Sequence, residues 1–194
     1  MMLFRTSGLN FRRKRRKMKL STAKSAAAWA VEILIVLLVA FVLVYCAGMR
    51  VTMVGNSMES TVSDGSQILV NRFLYNVKSP KSGDVIVFLP TGNEKSHYYV
   101  QRVIGVPGDK VQIKSGLLYV NGELYDTEDT DTIKNAGVAE EEITVGEDEY
   151  FVMGDNGNSS EDSRYANIGN IKKEYIKGKA WFVVRPFMKM GRIR

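Results

Sequence analysis

Tyr98-Tyr99-Val100-Gln101-Arg102-Val103-Ile104-Gly105-Val106-Pro107-Gly108-Asp109 decides the fold class of this chain. Aromatic and β-branched residues dominate Tyr98 to Val106, and a Pro-Gly pair follows, the pattern of a strand that ends in a turn. Upstream, Gln67 to Arg72 and Asp84 to Leu89 repeat the pattern. Downstream, Val111 to Ile113, Leu117 to Val120, Tyr150 to Met153 and Ala180 to Val184 continue it. Asn121-Gly122 sits between Leu117-Leu118-Tyr119-Val120 and Glu123-Leu124-Tyr125 and predicts a type I′ hairpin, because both central residues of that turn need positive φ. No sustained helical period follows Arg50, apart from one possible turn at Lys172 to Ile176. The part beyond residue 47 is therefore expected to be mainly β, an antiparallel barrel or sandwich of Greek-key type. Asp126 to Glu149 interrupts the strand rhythm with acidic and polar residues. It is read as a solvated loop or small cap, the insert spanning about 112–149, since its carboxylates lack the spacing and turn glycine of a calcium loop.

Ala26 to Ala47 is apolar except for Glu32. As a helix it would rise about 33 Å, enough to cross a hydrocarbon core of about 30 Å. A cleaved secretory signal would have a shorter apolar core and small residues before its cleavage point; here Tyr45 would occupy the third position before a cut after Ala47. The expected organisation is a basic segment at 1–25, a transmembrane helix at 26–47 and an extracytoplasmic β domain at 48–194. Nine of the 27 Lys and Arg residues fall in residues 1–25 with no acid, which leaves 18 bases against 21 acids in the rest. The net charge of +6 thus belongs to the N-terminal segment. By the positive-inside bias that segment stays in the cytoplasm and the chain is a single-pass plasma-membrane protein. The mildly acidic remainder excludes a basic DNA-binding domain, and anionic lipid is the simpler partner of the N-terminal block. Cys46 is the single cysteine, so no intrachain disulfide forms.

Shortly after the helix comes Val54-Gly55-Asn56-Ser57-Met58-Glu59-Ser60-Thr61, and later Gly154-Asp155-Asn156-Gly157-Asn158-Ser159-Ser160-Glu161-Asp162-Ser163-Arg164. A serine two residues after a glycine and close to a bilayer is a candidate nucleophile, because the glycine lets the backbone turn and aim N–H groups at a substrate carbonyl. An Asp/Asn/Gly-rich loop by itself is explained by turn formation. With the Tyr98–Asp109 stretch these two make an ordered triplet. In order and spacing the triplet resembles the characteristic boxes of type I signal peptidases, the membrane-bound serine proteases that remove signal peptides from exported preproteins.

The resemblance implies Ser57 as nucleophile, Ser160 as the hydroxyl that orients the base, and Asp162 with Arg164 as a supporting ion pair. It implies shallow pockets for small substrate residues at −1 and −3, walled by Met53, Val54, Met58, Val62, Tyr99 and Val100, each of which alone could be ordinary core. The family's general-base lysine falls where this chain has Gln101, whose amide has no basic nitrogen. His97 is the single histidine, four residues upstream and about 13 Å away along an extended strand, so it is read as an exposed edge residue. Gly55 replaces a serine that in some relatives helps hold the oxyanion, leaving backbone N–H groups, notably that of Ser57. Glu59 replaces the usual proline.

Gln101 fits three explanations: an introduced inactivating change, a natural non-catalytic relative that chaperones pilin or other surface proteins, or a different base for the serine. Trp181, Phe182, Phe187 and Met188 either seat the domain in the lipid surface or pack beneath the sheet. A self-cleaving, nucleic-acid-binding regulator is disfavoured, because the basic block lacks helix-turn-helix patterning. No metal or nucleotide motif is present, and a Ser-Lys type site requires no cofactor. The expected partners are signal peptides of preproteins and the lipid bilayer, with a pilin-like client as the narrower alternative.

Overall fold

The computed structural model describes residues 20–92, 96–126 and 132–193. Most of the basic block, residues 1–19, lies outside the described residues, as does part of the acidic 126–149 stretch. Two units are present, divided between Phe41 and Val42.

The first element, α1 (Leu20–Ala47), begins earlier than the apolar run predicted. Ser21 and Thr22 tolerate helix without belonging to the apolar stretch, so the helix runs beyond that stretch at its N-terminal end. Within it, Lys24–Tyr45 is long and apolar enough to span a bilayer. Its side chains are exposed all round.

The second unit is mainly β. In chain order it contains β1 (Met49–Thr52), β2 (Gln67–Asn71), the single turn α2 (Leu74–Val77), β3 (Val85–Phe88) and β4 (Tyr99–Gly105). Next come β5 (Lys110–Lys114), β6 (Leu117–Val120), β7 (Glu123–Leu124), β8 (Ile143–Thr144), β9 (Glu149–Met153), β10 (Ile171–Lys172), β11 (Ile176–Arg185) and β12 (Gly191–Arg192). Every pairing is antiparallel. The larger sheet runs β1-β2-β11-β3-β4-β9-β10 with β12 added on β11, and it curls without closing. Register shifts in β11 and β4 mark bulges, which increase local twist and favour that curl.

β3 shows why the sheet is double-faced. Val85 and Val87 face one core, with Val51, Met53, Met58, Val62, Val100 and Ile193. Ile86 and Phe88 face another, with Tyr75, Val103, Tyr150 and Ile171. The period-2 alternation of a strand separates these sets, and because both faces are covered, β3 reads as one continuous apolar run. A smaller sheet, β7-β6-β5-β8, forms the insert. It packs on β4 at Gly105, where a β-carbon would lie 2.7 Å from Val111 and 3.0 Å from Val145. The predicted hairpin is present, with Asn121 at φ 53° and Gly122 at φ 81° and Val120 paired with Glu123.

β11 is longer than Ala180–Val184 because Lys177, Gly178 and Lys179 extend it without apolar patterning. Phe187 and Met188 are 72% and 99% exposed, so they do not pack beneath the sheet. The predicted turn at Lys172–Ile176 is a short 3₁₀ segment at Lys173–Tyr175.

Candidate active site

Ser57 stands in the loop between β1 and β2. The loop is shaped locally. The Met53 N–H donates to the Ser66 carbonyl at 2.8 Å, and the Thr61 and Val62 N–H groups donate to the Met58 carbonyl at 2.9 and 2.6 Å. Met58 is fully buried and anchors the turn immediately after the serine. Gly55 adopts φ 89°, a conformation costly for any residue with a β-carbon. Its own N–H is taken by the Asp64 carboxylate at 2.8 Å. The Ser57 N–H, by contrast, has no acceptor among the described residues.

The third block reaches this loop directly. The Asn156 N–H donates to the Ser57 carbonyl at 2.9 Å, and the Asp155 N–H lies 3.4 Å from the Met58 sulfur. Gly154 has no room for a side chain: a β-carbon there would sit 2.5 Å from both the Ser57 carbonyl oxygen and the Ser160 Cβ. A second tie comes from β4. Arg102 forms a bidentate pair with Asp155, Nε to Oδ1 and Nη2 to Oδ2 both at 2.7 Å. The Thr61 hydroxyl donates to the same carboxylate and accepts from Arg102 Nη2 at 3.1 Å. Both charged groups are buried. The pair thereby fixes the serine loop against the strand that carries position 101.

Asp162 and Arg164 form the expected ion pair, Nε to Oδ1 at 2.8 Å and Nη2 to Oδ2 at 2.9 Å, with both side chains essentially inaccessible. Asp162 also accepts from the Gly154 N–H at 3.3 Å. The Ser160 hydroxyl donates to Asp162 and accepts from Arg164 Nη2 at 3.3 Å. It makes no bond to position 101, which departs from the expectation that it orients the base; the carboxylate two residues on is the stronger acceptor. Gln101, 1% exposed, donates from Nε2 to the Glu161 carbonyl, and its Oε1 is buried with no partner among the described residues.

A groove of about 350 Å³ runs past these groups, lined by residues 53–57, residues 97–101, Ser159 and Glu161. Of the predicted wall, Met53, Val54, Tyr99 and Val100 line it, whereas Met58 and Val62 do not. Those two are fully buried in the core behind Met53 and Val100, because the short turn after Ser57 points them inward. His97 is exposed, as expected, and lines the groove. Glu161 went unremarked in the sequence because it lies between two block residues. The Tyr99 phenol is pushed above its ordinary pKa by burial first, then by the Glu161 charge and a hydrogen bond to that carboxylate. No cluster of three metal-binding side chains occurs among the described residues. Chemically, the site offers a hydroxyl, backbone N–H groups around Ser57 with no acceptor among the described residues, and a rigid ion-paired support.

A family model described as "Signal peptidase, peptidase S26" matches residues 26–185. Signal peptidase I P of Bacillus subtilis subsp. natto is 37% identical over 148 residues, covering 72% of this chain and 78% of that protein. Signal peptidase I of Bacillus amyloliquefaciens is 34% identical over 182 residues, 90% of this chain and 96% of the other. Signal peptidase IB of Staphylococcus aureus is 35% identical over 178 residues, 80% and 90%. A solved signal peptidase I from Enterococcus faecalis V583 covers 53% of this chain and 97% of that one at 28% identity, with a TM-score of 0.43.

Proposed function

The chain belongs to the signal peptidase family, serine peptidases of the S26 type, and on that premise we propose that it receives the signal-peptide region of exported preproteins in the Ser57 groove, with its own hydrolytic step impaired by Gln101. The observation that carries this reading is the pairing of an intact groove and serine loop with a buried amide where a base is needed. Binding of an extended peptide is supported by the edge of β4. β9 pairs only from Arg102 onward, so Tyr99 to Gln101 have a strand partner in β3 alone. An unpaired edge beside a groove suits strand addition. Ser57 would attack the scissile carbonyl, its own N–H holding the oxyanion. Gln101 cannot accept the serine proton as a base, and loss of a general base lowers the rate about 10²–10⁴-fold.

The N-terminal helix would hold the domain at the bilayer with the basic segment cytoplasmic. The exposed Phe187 and Met188 suit contact with lipid. A non-catalytic chaperone for pilin or other surface proteins is the second reading, favoured by the same missing base.

Three versions of the full chain separate the two: unchanged, Gln101→Lys, and Gln101→Lys with Ser57→Ala. Each is assayed in detergent on a preprotein with small residues at −3 and −1. Cleavage by Gln101→Lys alone supports a peptidase disabled at one group. Binding without cleavage by any version supports the chaperone. Absence of both binding and cleavage would refute the proposed function.

A further inference from the structure

Among the described residues that line the groove, Glu161 is the only formally charged one with His97 taken as neutral. It also differs from the other acids near the site. Asp155 is paired with Arg102 and Asp162 with Arg164, whereas Glu161 has no cationic partner among the described residues. Its backbone is nonetheless fixed. Its carbonyl accepts from Gln101 Nε2, and its neighbours Ser160 and Asp162 are locked in the buried ion-pair network. Its side chain is exposed and lines the groove. A carboxylate carried on fixed backbone loses less conformational freedom when a ligand arrives than one on a mobile segment, so its attraction for a cation is less offset by ordering.

Resting on the groove's assignment to signal-peptide regions, we propose that Glu161 gives the groove a preference for peptides carrying lysine or arginine close to the bond facing Ser57, over peptides carrying an acid there. The geometry limits the distance. An extended peptide advances about 3.3 Å per residue, and a glutamate side chain reaches about as far as one to two such steps. The cation therefore lies within about two residues of the small residue seated beside Gln101. The same charge repels an acidic side chain at that place, so selection has an attractive and a repulsive part.

The test uses the full chain in uncharged detergent micelles and labelled peptides containing an Ala-x-Ala segment. The peptides carry Lys, Gln or Glu at each of the two positions on either side of the bond, and affinity is read by fluorescence anisotropy. An exposed ion pair is a modest interaction, so the expected preference for Lys over Glu at the best position is about fivefold. The preference should fall toward one in Glu161→Gln, invert in Glu161→Lys, and shrink as salt rises. Glu161 is exposed, so both substitutions leave the core intact. A Lys-to-Glu ratio equal in all three proteins overturns the role of Glu161 and leaves the groove assignment standing. Failure of every peptide to bind any of the proteins overturns both.

Discussion

Asp162→Ala should be among the most damaging single substitutions in the β domain, although it removes only a carboxylate. Asp162 is fully buried and Arg164 is 2% exposed. The carboxylate takes two guanidinium bonds at 2.8 and 2.9 Å, the Gly154 N–H at 3.3 Å, the Arg164 N–H at 3.2 Å and the Ser160 hydroxyl. Truncation leaves a buried guanidinium whose remaining acceptors are the Asn135 carbonyl at 2.9 Å and the Ser160 oxygen at 3.3 Å. Breaking a buried pair in this way costs about 3–5 kcal/mol, a large part of the roughly 5–15 kcal/mol that holds a domain folded. For a domain of this size that is a fall in Tm of about 6–20 °C. Replacing both partners, Asp162→Ala with Arg164→Met, removes the unpaired charge and should recover most of the loss. Circular dichroism of the full chain in detergent, followed against heat and urea, measures the cycle. A single-variant cost below about 1 kcal/mol, or a double variant as unstable as the sum of the two singles, would refute the role given to this pair.

Gly154→Ala places a methyl group 2.5 Å from the Ser57 carbonyl oxygen, which is backbone and has little freedom to move; overpacking of this kind costs about 1–3 kcal/mol. The urea midpoint should fall accordingly, and groove-peptide affinity should fall further than in a surface variant of equal stability. Stability should also decline above about pH 10, where the unfolded chain loses tyrosine protons. Folded Tyr75 keeps its proton well beyond that range because burial, then the Asp84 charge and a hydrogen bond to Asp84, disfavour the phenolate. The neutral phenol's contribution is therefore complete below pH 10 and is lost as pH climbs. Tyr75→Phe should cost about 1 kcal/mol at pH 8 and flatten the alkaline fall measured by urea midpoint between pH 9 and 11, with the remaining slope due to Tyr99 and Tyr150, whose pKa values are also raised.

The β strands at Gln67–Asn71, Val85–Phe88 and Tyr99–Gly105 were legible because side-chain alternation and turn residues are local signals. β1, β8, β10 and β12 were not, since two to four residues are too few to show a period, and their existence depends on a neighbour supplying the ladder. α2 was missed for the same reason, being one turn long. Among site residues, the blocks placed Ser57, Gln101, Ser160, Asp162 and Arg164 on the page, but not their bonds. Ser160 turns to Asp162, Gln101 to the Glu161 carbonyl, and the Gly55 N–H to Asp64. Met58 and Val62 show the limit most plainly: an apolar residue near a nucleophile suits a pocket wall and a core equally well, and only the turn after Ser57 chose the core.

By itself the sequence determined the long apolar N-terminal helix, the antiparallel β class, the order of the three blocks and the absence of a basic side chain at position 101, all properties of residue type, spacing and local period. Tertiary structure alone decided that Gly154 must be bare for Ser57 to approach Ser160, that Arg102 and Asp155 bind the serine loop to β4, and that Glu161 stands in the groove with no cationic partner among the described residues. Those are contacts between segments up to about a hundred residues apart, and no local pattern records which partner a buried polar group will find when the chain folds.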